Sequence, residues 1–102
     1  MNKYTELSDF EINKKVAEHL KLNTIAYERT EIVLFDDMDA TPFAPCNNPS
    51  DAMPIIIENK IAINPKGDTW QCGSGWNVAE NKNPLRACME VFLMTKDAED
   101  ES

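Results

Sequence analysis

The sequence predicts an α+β fold in which a small, mainly antiparallel sheet of two to four strands packs with three helices. Three observations support this prediction: a capping-box spacing at residues 8–11, Asn-Pro steps before apolar runs at Asn48-Pro49 and Asn83-Pro84, and turn chemistry between short apolar segments at residues 61–78. Asn is a strong N-cap residue and Pro suits the first helical position, so each Asn-Pro step marks a helix start. We expect a single domain over residues 1–95, because 102 residues is close to the usual size of one core.

The first helix is predicted from Asp9 to about Leu20. Ser8 and Glu11 have the spacing of a capping box, in which each side chain bonds the backbone N–H of the other residue. Apolar side chains then recur at four-residue intervals from Ile12, which gives the helix one apolar face.

Residues 23–45 are less regular. Residues 31–35 are β-branched and aromatic enough to predict a short strand. Residues 36–45 are predicted to be a loop, because two prolines disfavour regular structure before them. The aspartates of this loop, Asp36, Asp37 and Asp39, could suggest a calcium site. They lack the glycine and the distant glutamate of an EF-hand loop, so a solvated acidic turn is the preferred interpretation.

The second helix is predicted from Pro49 to about Asn59, with its core face at Met53, Ile56 and Ile57. Pro54 should kink this helix or tighten its first turn, since the proline ring clashes with the carbonyl group four residues earlier.

A β-hairpin is predicted next, with strands at residues 61–63 and 69–72 joined by the turn-forming residues 64–68. Gly73-Ser74-Gly75 then bends the chain, and residues 76–78 could add a third strand.

The last helix begins at Pro84 and is apolar around much of its circumference up to Met94. Such a helix is usually central and packed on several neighbours, although the surplus apolar surface could instead serve a homodimer contact. Residues 96–102 are charged and lack large apolar side chains, so they are expected to form a disordered acidic tail.

The overall charge and the cysteines limit the function classes. The formal net charge is −8, which argues against nonspecific nucleic-acid binding because that requires clustered Lys and Arg. The three cysteines are widely spaced and form no C-x-x-C pair, so we expect free, mostly buried thiols and no metal site or cofactor. No apolar run is long enough to span a membrane, and the polar amino terminus lacks a secretory signal, so a cytosolic location is expected.

Six residues are candidates for binding. Arg86 lies in the first turn of an apolar helix, where the helix dipole disfavours a cation, so it should have a carboxylate partner such as Asp51 or Glu58, or else bind an anion. Trp70 and Trp76 flank the Gly-Ser-Gly bend and could either fill the core or form an exposed aromatic platform. The remaining candidates precede or begin the second helix, where capping competes with anion binding as their role: Asn47, Asn48 and Asp51.

Three segments carry a family resemblance: Leu7–Asn13, Cys46–Asn59 and Asn83–Ala87. In sequence and spacing they resemble the NinX-like family, small proteins of tailed phages and prophages of enteric bacteria. The family more commonly has Trp where this chain has Met53, which implies a locally different packing. The resemblance implies a phage or prophage origin, hence the host bacterial cytoplasm, and an α/β/α-sandwich-like arrangement. It implies no activity, cofactor or catalytic residue.

Three functional hypotheses follow from the sequence. The leading one is a noncatalytic phage accessory protein that binds a host or phage protein, with a possible homodimer through the last helix. It rests on the acidity, the missing catalytic motifs and the apolar last helix. The alternative is a small ligand-binding module or enzyme with a pocket near Arg86, Asn48 and the tryptophans. A weaker alternative is an acidic DNA mimic.

Overall fold

The computed structural model describes residues 2–100, and over that range it contains three helices and five strands. In chain order they are α1 (Asp9–His19), β1 (Thr24–Tyr27), β2 (Ile32–Phe35), α2 (Pro49–Glu58), β3 (Ile63–Lys66), β4 (Thr69–Ser74), β5 (Asn77–Asn81) and α3 (Pro84–Asp100). The described strands form an antiparallel ribbon, β1-β2, and an antiparallel three-stranded sheet, β3-β4-β5. The predicted α+β class is confirmed, with the strands divided between two sheets.

Helix α1 begins as the sequence predicts. The Ser8 side chain accepts a hydrogen bond from the Glu11 backbone N–H at 3.1 Å, and the Glu11 carboxylate accepts one from the Ser8 N–H at 3.1 Å. This capping box satisfies N–H groups that have no partner within the helix. On the apolar face Ile12 and Val16 are fully buried, whereas Leu20, at the end of the helix, is 36 % exposed.

The β1-β2 ribbon includes one strand that we did not predict. The strand expected at residues 31–35 is β2, but its partner β1 is a four-residue segment with weak local signals. The loop after β2 returns along the other edge of that strand. The Phe43 N–H donates to the Val33 carbonyl and the Phe35 N–H donates to the Thr41 carbonyl, both at 2.9 Å. The loop is therefore fastened to β2 and brings Phe43 into the core.

Helix α2 starts as predicted but turns a different face to the core. The Asn48 side chain accepts a hydrogen bond from the Ser50 N–H at 3.0 Å, with Pro49 at the first helical position. The core face predicted at Met53, Ile56 and Ile57 was wrong for two of its members, because Met53 and Ile57 are exposed. The buried residues are instead Ala52, Ile55 and Ile56. Both sets have the same helical spacing, and the small Ala52 allows close packing. The family departure at Met53 consequently lies outside the core.

The predicted hairpin is present, but its turn is shorter than expected. Residues 64–66, predicted as part of the turn, belong to β3, and only Gly67 and Asp68 separate β3 from β4. Lys66 and Thr69 close the two-residue loop as a hydrogen-bonded pair, and such pairs recur at every second residue of an antiparallel ladder. The next pair, Pro65 with Trp70, is therefore not hydrogen-bonded. The Pro65 nitrogen faces the free edge of the sheet, where no N–H is needed. The third strand predicted at residues 76–78 is β5, which starts one residue later, at Asn77, and continues to Asn81.

Helix α3 is the central element, as its apolar circumference predicts. It contacts α1 and α2 as well as β4 and β5, and residues 86–93 are all buried. Two helices and the three-stranded sheet therefore all pack on α3. Asn83 caps α3 by accepting a hydrogen bond from the Leu85 N–H at 3.0 Å. The apolar surplus of α3 is covered within one chain and gives no support to a dimer through this helix.

The carboxyl-terminal segment differs from the expected disordered tail. Helix α3 continues to Asp100, so residues 96–100 are helical, while Glu101 and Ser102 lie outside the described residues. The extension is anchored by Asp97, which accepts a hydrogen bond from the Tyr4 hydroxyl and forms an ion pair with Lys3 at 3.1 Å. No helix among residues 2–100 has both the length and the apolarity needed to cross a membrane.

Candidate functional site

Arg86 is the most highly connected of the residues that the sequence singled out. It is only 6 % exposed and donates hydrogen bonds from all three guanidinium nitrogens. Nε donates to Glu90 Oε2 at 2.6 Å, and Nη1 donates to Asp9 Oδ1 at 2.7 Å. Nη2 donates to the backbone carbonyls of Tyr4 at 2.9 Å and Leu7 at 2.7 Å. The guanidinium therefore joins the amino-terminal segment and α1 to α3.

The partners predicted for Arg86, Asp51 and Glu58, were wrong. The actual partners are Asp9, which is 77 residues away in sequence, and Glu90, which is one helical turn further along α3. Glu90 is 1 % exposed, and its second oxygen accepts a hydrogen bond from Asn2 Nδ2 at 2.5 Å. Burial tends to lower the pKa of Arg86, but its hydrogen bonds to Asp9 and Glu90 outweigh this and raise the pKa. Arg86 is therefore a charged residue with a structural role, since it holds α1 against α3 through Asp9 and Glu90.

The three candidates around the start of α2 have structural partners too. Asp51 Oδ2 accepts a hydrogen bond from the Ala44 N–H at 2.9 Å, and Asn48 is the N-cap described above. Asn47 is exposed, and its Nδ2 donates to Asp9 Oδ2 at 3.4 Å. Asn47 is thereby linked through Asp9 to Arg86, whereas the contacts of Asn48 and Asp51 are local to the helix start.

The two tryptophans are not brought together. Trp70 is near the start of β4, whereas Trp76 is fully exposed in the turn that joins β4 to β5. Four residues of extended strand, about 13 Å, separate Trp70 from Ser74, which immediately precedes that turn. The two indoles therefore do not form one aromatic platform.

The three cysteines are free and completely buried, as expected from the sequence. Burial is the main cause of a raised pKa at all three thiols, and for Cys46, with the nearby Asp9 carboxylate adding to it, the pKa is about 12. These groups are protonated thiols at neutral pH, which are poor nucleophiles. Among residues 2–100, no group of three or more His, Cys, Asp or Glu side chains is placed to hold a metal ion.

A cavity of about 530 Å³ lies between the amino-terminal segment, α1 and the end of α3. Its lining side chains are of mixed charge: Lys3, Tyr4, Leu7, Lys15, Glu18, His19 and Asp97. Burial and the adjacent Asp97 carboxylate raise the pKa of Tyr4. Burial would raise the pKa of Asp97, but the hydrogen bonds from Tyr4 and Lys3 hold it below the ordinary value. Asp97 thus has its hydrogen-bond partner in Tyr4 and its ion-pair partner in Lys3.

A second cavity, of about 410 Å³, lies beside β2, and we call it the ribbon cavity. Its floor includes the buried apolar side chains Phe10, Val33 and Phe43. Asp9 and Glu31 add carboxylates to its lining. Its other lining residues are Ser8, Asn13, Ile32, Pro42, Ala44 and Asn47. No local sequence pattern predicts this site, because its residues come from three separate segments.

The ribbon presents an apolar face to solvent, which we call the outer face. Antiparallel pairing of Ile25 with Leu34 and of Tyr27 with Ile32 places these four side chains on one side of the ribbon. Ile25, Tyr27 and Ile32 are 41 %, 45 % and 41 % exposed, respectively. The opposite side, which includes the buried Val33, packs against the core. The outer face and the ribbon cavity share Ile32.

Comparison with known proteins provides one positive finding. Residues 3–96, nearly the whole chain, match the family model described as Bacteriophage P22, NinX. Comparisons with curated proteins and with solved structures gave no match.

Proposed function

The chain belongs to the bacteriophage P22 NinX family and is a phage accessory protein, and we propose that it acts without catalysis by binding a host or phage protein. We place this action in the cytoplasm of the host bacterium. One observation carries the proposal: the outer face of the ribbon leaves three large apolar side chains more than one-third exposed next to a cavity with an apolar floor. Contiguous apolar surface beside a pocket is typical of protein–protein contacts.

The alternative of a ligand-binding module or enzyme around Arg86 has less support. An anion site or a catalytic arginine must present free donors to its ligand, but the Arg86 guanidinium is buried and already bonded to two carboxylates and to backbone carbonyls. The two indoles that would have completed the pocket are apart. The ribbon therefore offers the better-supported site.

The DNA-mimic alternative makes a different prediction about salt. A mimic binds basic proteins through carboxylates alone, so its affinity should fall steeply as salt is raised. An apolar contact with a charged rim should keep most of its affinity at high salt.

Affinity capture followed by reconstitution tests the proposal. The tagged full-length chain is used to recover proteins from infected host cells at several times after infection, at low and high salt. Each recovered protein is then purified and mixed with the chain, and the complex is measured by size-exclusion chromatography with light scattering. We expect one protein to form a stoichiometric complex with micromolar or tighter affinity. Failure of every recovered protein to reconstitute, at any salt concentration or time, would overturn the proposal.

A further inference from the structure

We infer that the outer face of the ribbon, together with the ribbon cavity, docks a protein segment whose apolar side chains are flanked by lysine or arginine. This inference rests on the proposed protein-binding function and assigns it a surface and a partner chemistry.

The apolar part of the surface is continuous across three chain segments. Leu34 is bridged to Pro42 on its other side, so Ile25, Leu34 and Pro42 form one row across the ribbon, and Tyr27 with Ile32 forms the next. From the exposed fractions, the patch amounts to roughly 300 Å², the size at which apolar patches on monomers are often functional. A typical interface buries roughly 800 Å² per partner, so this patch would be its apolar centre.

The ribbon cavity provides an anchor point beside that centre. Its floor of Phe10, Val33 and Phe43 suits an aliphatic stem, and Glu31 places a carboxylate in the lining. A lysine or arginine side chain matches this combination, because it packs its methylene groups on apolar surface while its charged end meets a carboxylate.

Acidic residues lie at both ends of the outer face. Glu31 precedes Ile32 at the turn end, where the neighbouring Glu28 is already paired with Lys14 at 3.5 Å. Three aspartates follow the other end of β2: Asp36, Asp37 and Asp39. Residues 24–39 contain five acidic side chains and one basic one, a net charge of −4 within a chain of −8. Complementary charge at such a rim selects the partner and accelerates association.

The same charges disfavour the other occupants of an exposed apolar face. In a symmetric dimer the same patch meets itself, so acidic ends would face acidic ends. An anionic lipid surface would be repelled in the same way. A protein with basic groups around an apolar segment is the occupant that satisfies both parts of the surface.

Site-specific photo-crosslinking in infected cells tests the assignment. The photo-reactive amino acid p-benzoylphenylalanine replaces Tyr27 on the outer face. The controls carry it at Trp76, an aromatic residue that is fully exposed, and at Ile57 on α2, which is 68 % exposed. We expect the Tyr27 position to crosslink to a protein whose modified peptide has apolar residues flanked by Lys or Arg, and we expect little product from either control.

Variants of the intact chain then measure each part of the surface against that protein. The pair Tyr27→Ser and Ile32→Thr should weaken binding at least about tenfold, because central aromatic and aliphatic contacts carry most of the binding energy. The pair Glu31→Gln and Asp36→Asn should weaken it about threefold at low salt and less at high salt. The controls Ile57→Thr, and Glu58→Gln with Asp68→Asn, should bind as the original chain does. Thermal unfolding of each purified variant confirms that it is folded.

The possible results separate this inference from the proposed function. Crosslinks at Trp76 or Ile57 but not at Tyr27 would leave protein binding intact and overturn the assigned surface. Crosslinks at Tyr27 to a second copy of the chain, or to a segment without Lys or Arg, would overturn the assigned partner chemistry. No crosslink at any position, together with no reconstituted complex, would overturn both proposals.

Discussion

Replacing Arg86 with methionine should be among the most destabilising single changes in this protein. Arg86→Met keeps an unbranched side chain of helix-compatible shape but removes the cation beside Glu90, which is 1 % exposed. Removing one partner of a buried ion pair typically costs about 3–5 kcal/mol, because the remaining charge is left uncompensated. The carbonyls of Tyr4 and Leu7 also lose their donor. Since domains of this size are stable by about 5–15 kcal/mol, this loss takes much of the free energy of unfolding.

Two further variants distinguish a buried charge from a general packing defect. Asp9→Asn should cost less than about 1 kcal/mol, because the Asp9 side chain is 43 % exposed and water can replace it. The double variant Arg86→Met with Glu90→Leu should be more stable than Arg86→Met alone, since no unpaired buried charge remains.

Urea denaturation followed by circular dichroism gives the free energy of unfolding of each variant. Thermal scans should show a fall in melting temperature of at least about 12 °C for Arg86→Met. An Arg86→Met cost no larger than that of Asp9→Asn would refute the reasoning, and so would a double variant less stable than the single one.

Three more predictions follow from the same structure. Gly73→Ala should cost about 2–4 kcal/mol in urea denaturation, because its Cβ would lie 2.1 Å from the Asn77 carbonyl oxygen at a φ of +89°. Gly75→Ala should cost only about 1–2 kcal/mol, since φ is +63° and no heavy atom lies within 4 Å of its Cβ; equal costs would contradict the clash. The three thiols should react with iodoacetamide at pH 8 at least about a hundredfold more slowly in the native protein than in denaturant, because they are buried and protonated. Labelling is measured by mass spectrometry, and rapid labelling of the native chain would be inconsistent with this. Asp97 has a pKa lowered below 3.8, so its contribution is present above that pH and is lost as pH falls through the folded-state pKa. The stability difference between the original chain and Asp97→Asn should therefore be constant near neutral pH and shrink below about pH 4; a difference unchanged down to pH 2 would argue against a charged Asp97.

The helix starts could be predicted because capping is a local property. Ser8 with Glu11, Asn48 with Pro49, and Asn83 with Pro84 each satisfy backbone N–H groups within a few residues. Such contacts form irrespective of the rest of the fold, so the sequence alone is sufficient to locate them. The face that α2 buries depends on its neighbour α3, which is why the one-residue rotation of its core face escaped prediction.

The partners of Arg86 illustrate the limit of local reasoning. Glu90 lies four residues after Arg86, a spacing at which side chains on a helix meet, so this partner was available from the sequence. Asp9 and the carbonyls of Tyr4 and Leu7 are brought to Arg86 only by the packing of the amino-terminal segment on α3. No local pattern specifies that packing. Asp97 is similar, because its partners Tyr4 and Lys3 come from the opposite end of the chain.

Strand β2 is the place where the sequence pattern and the single chain disagree. Its four residues, Ile32–Phe35, form a continuous apolar run, the pattern of a strand that is covered on both faces. In the single chain only the side that includes Val33 is covered by the core, and Ile32 on the other side remains 41 % exposed. A strand that needs to be covered on one side only would alternate apolar with polar residues, as in most sheets with one face in water. The apolar side chains on the outer face therefore contribute little to the core of one chain, and a partner seated on that face would bury them.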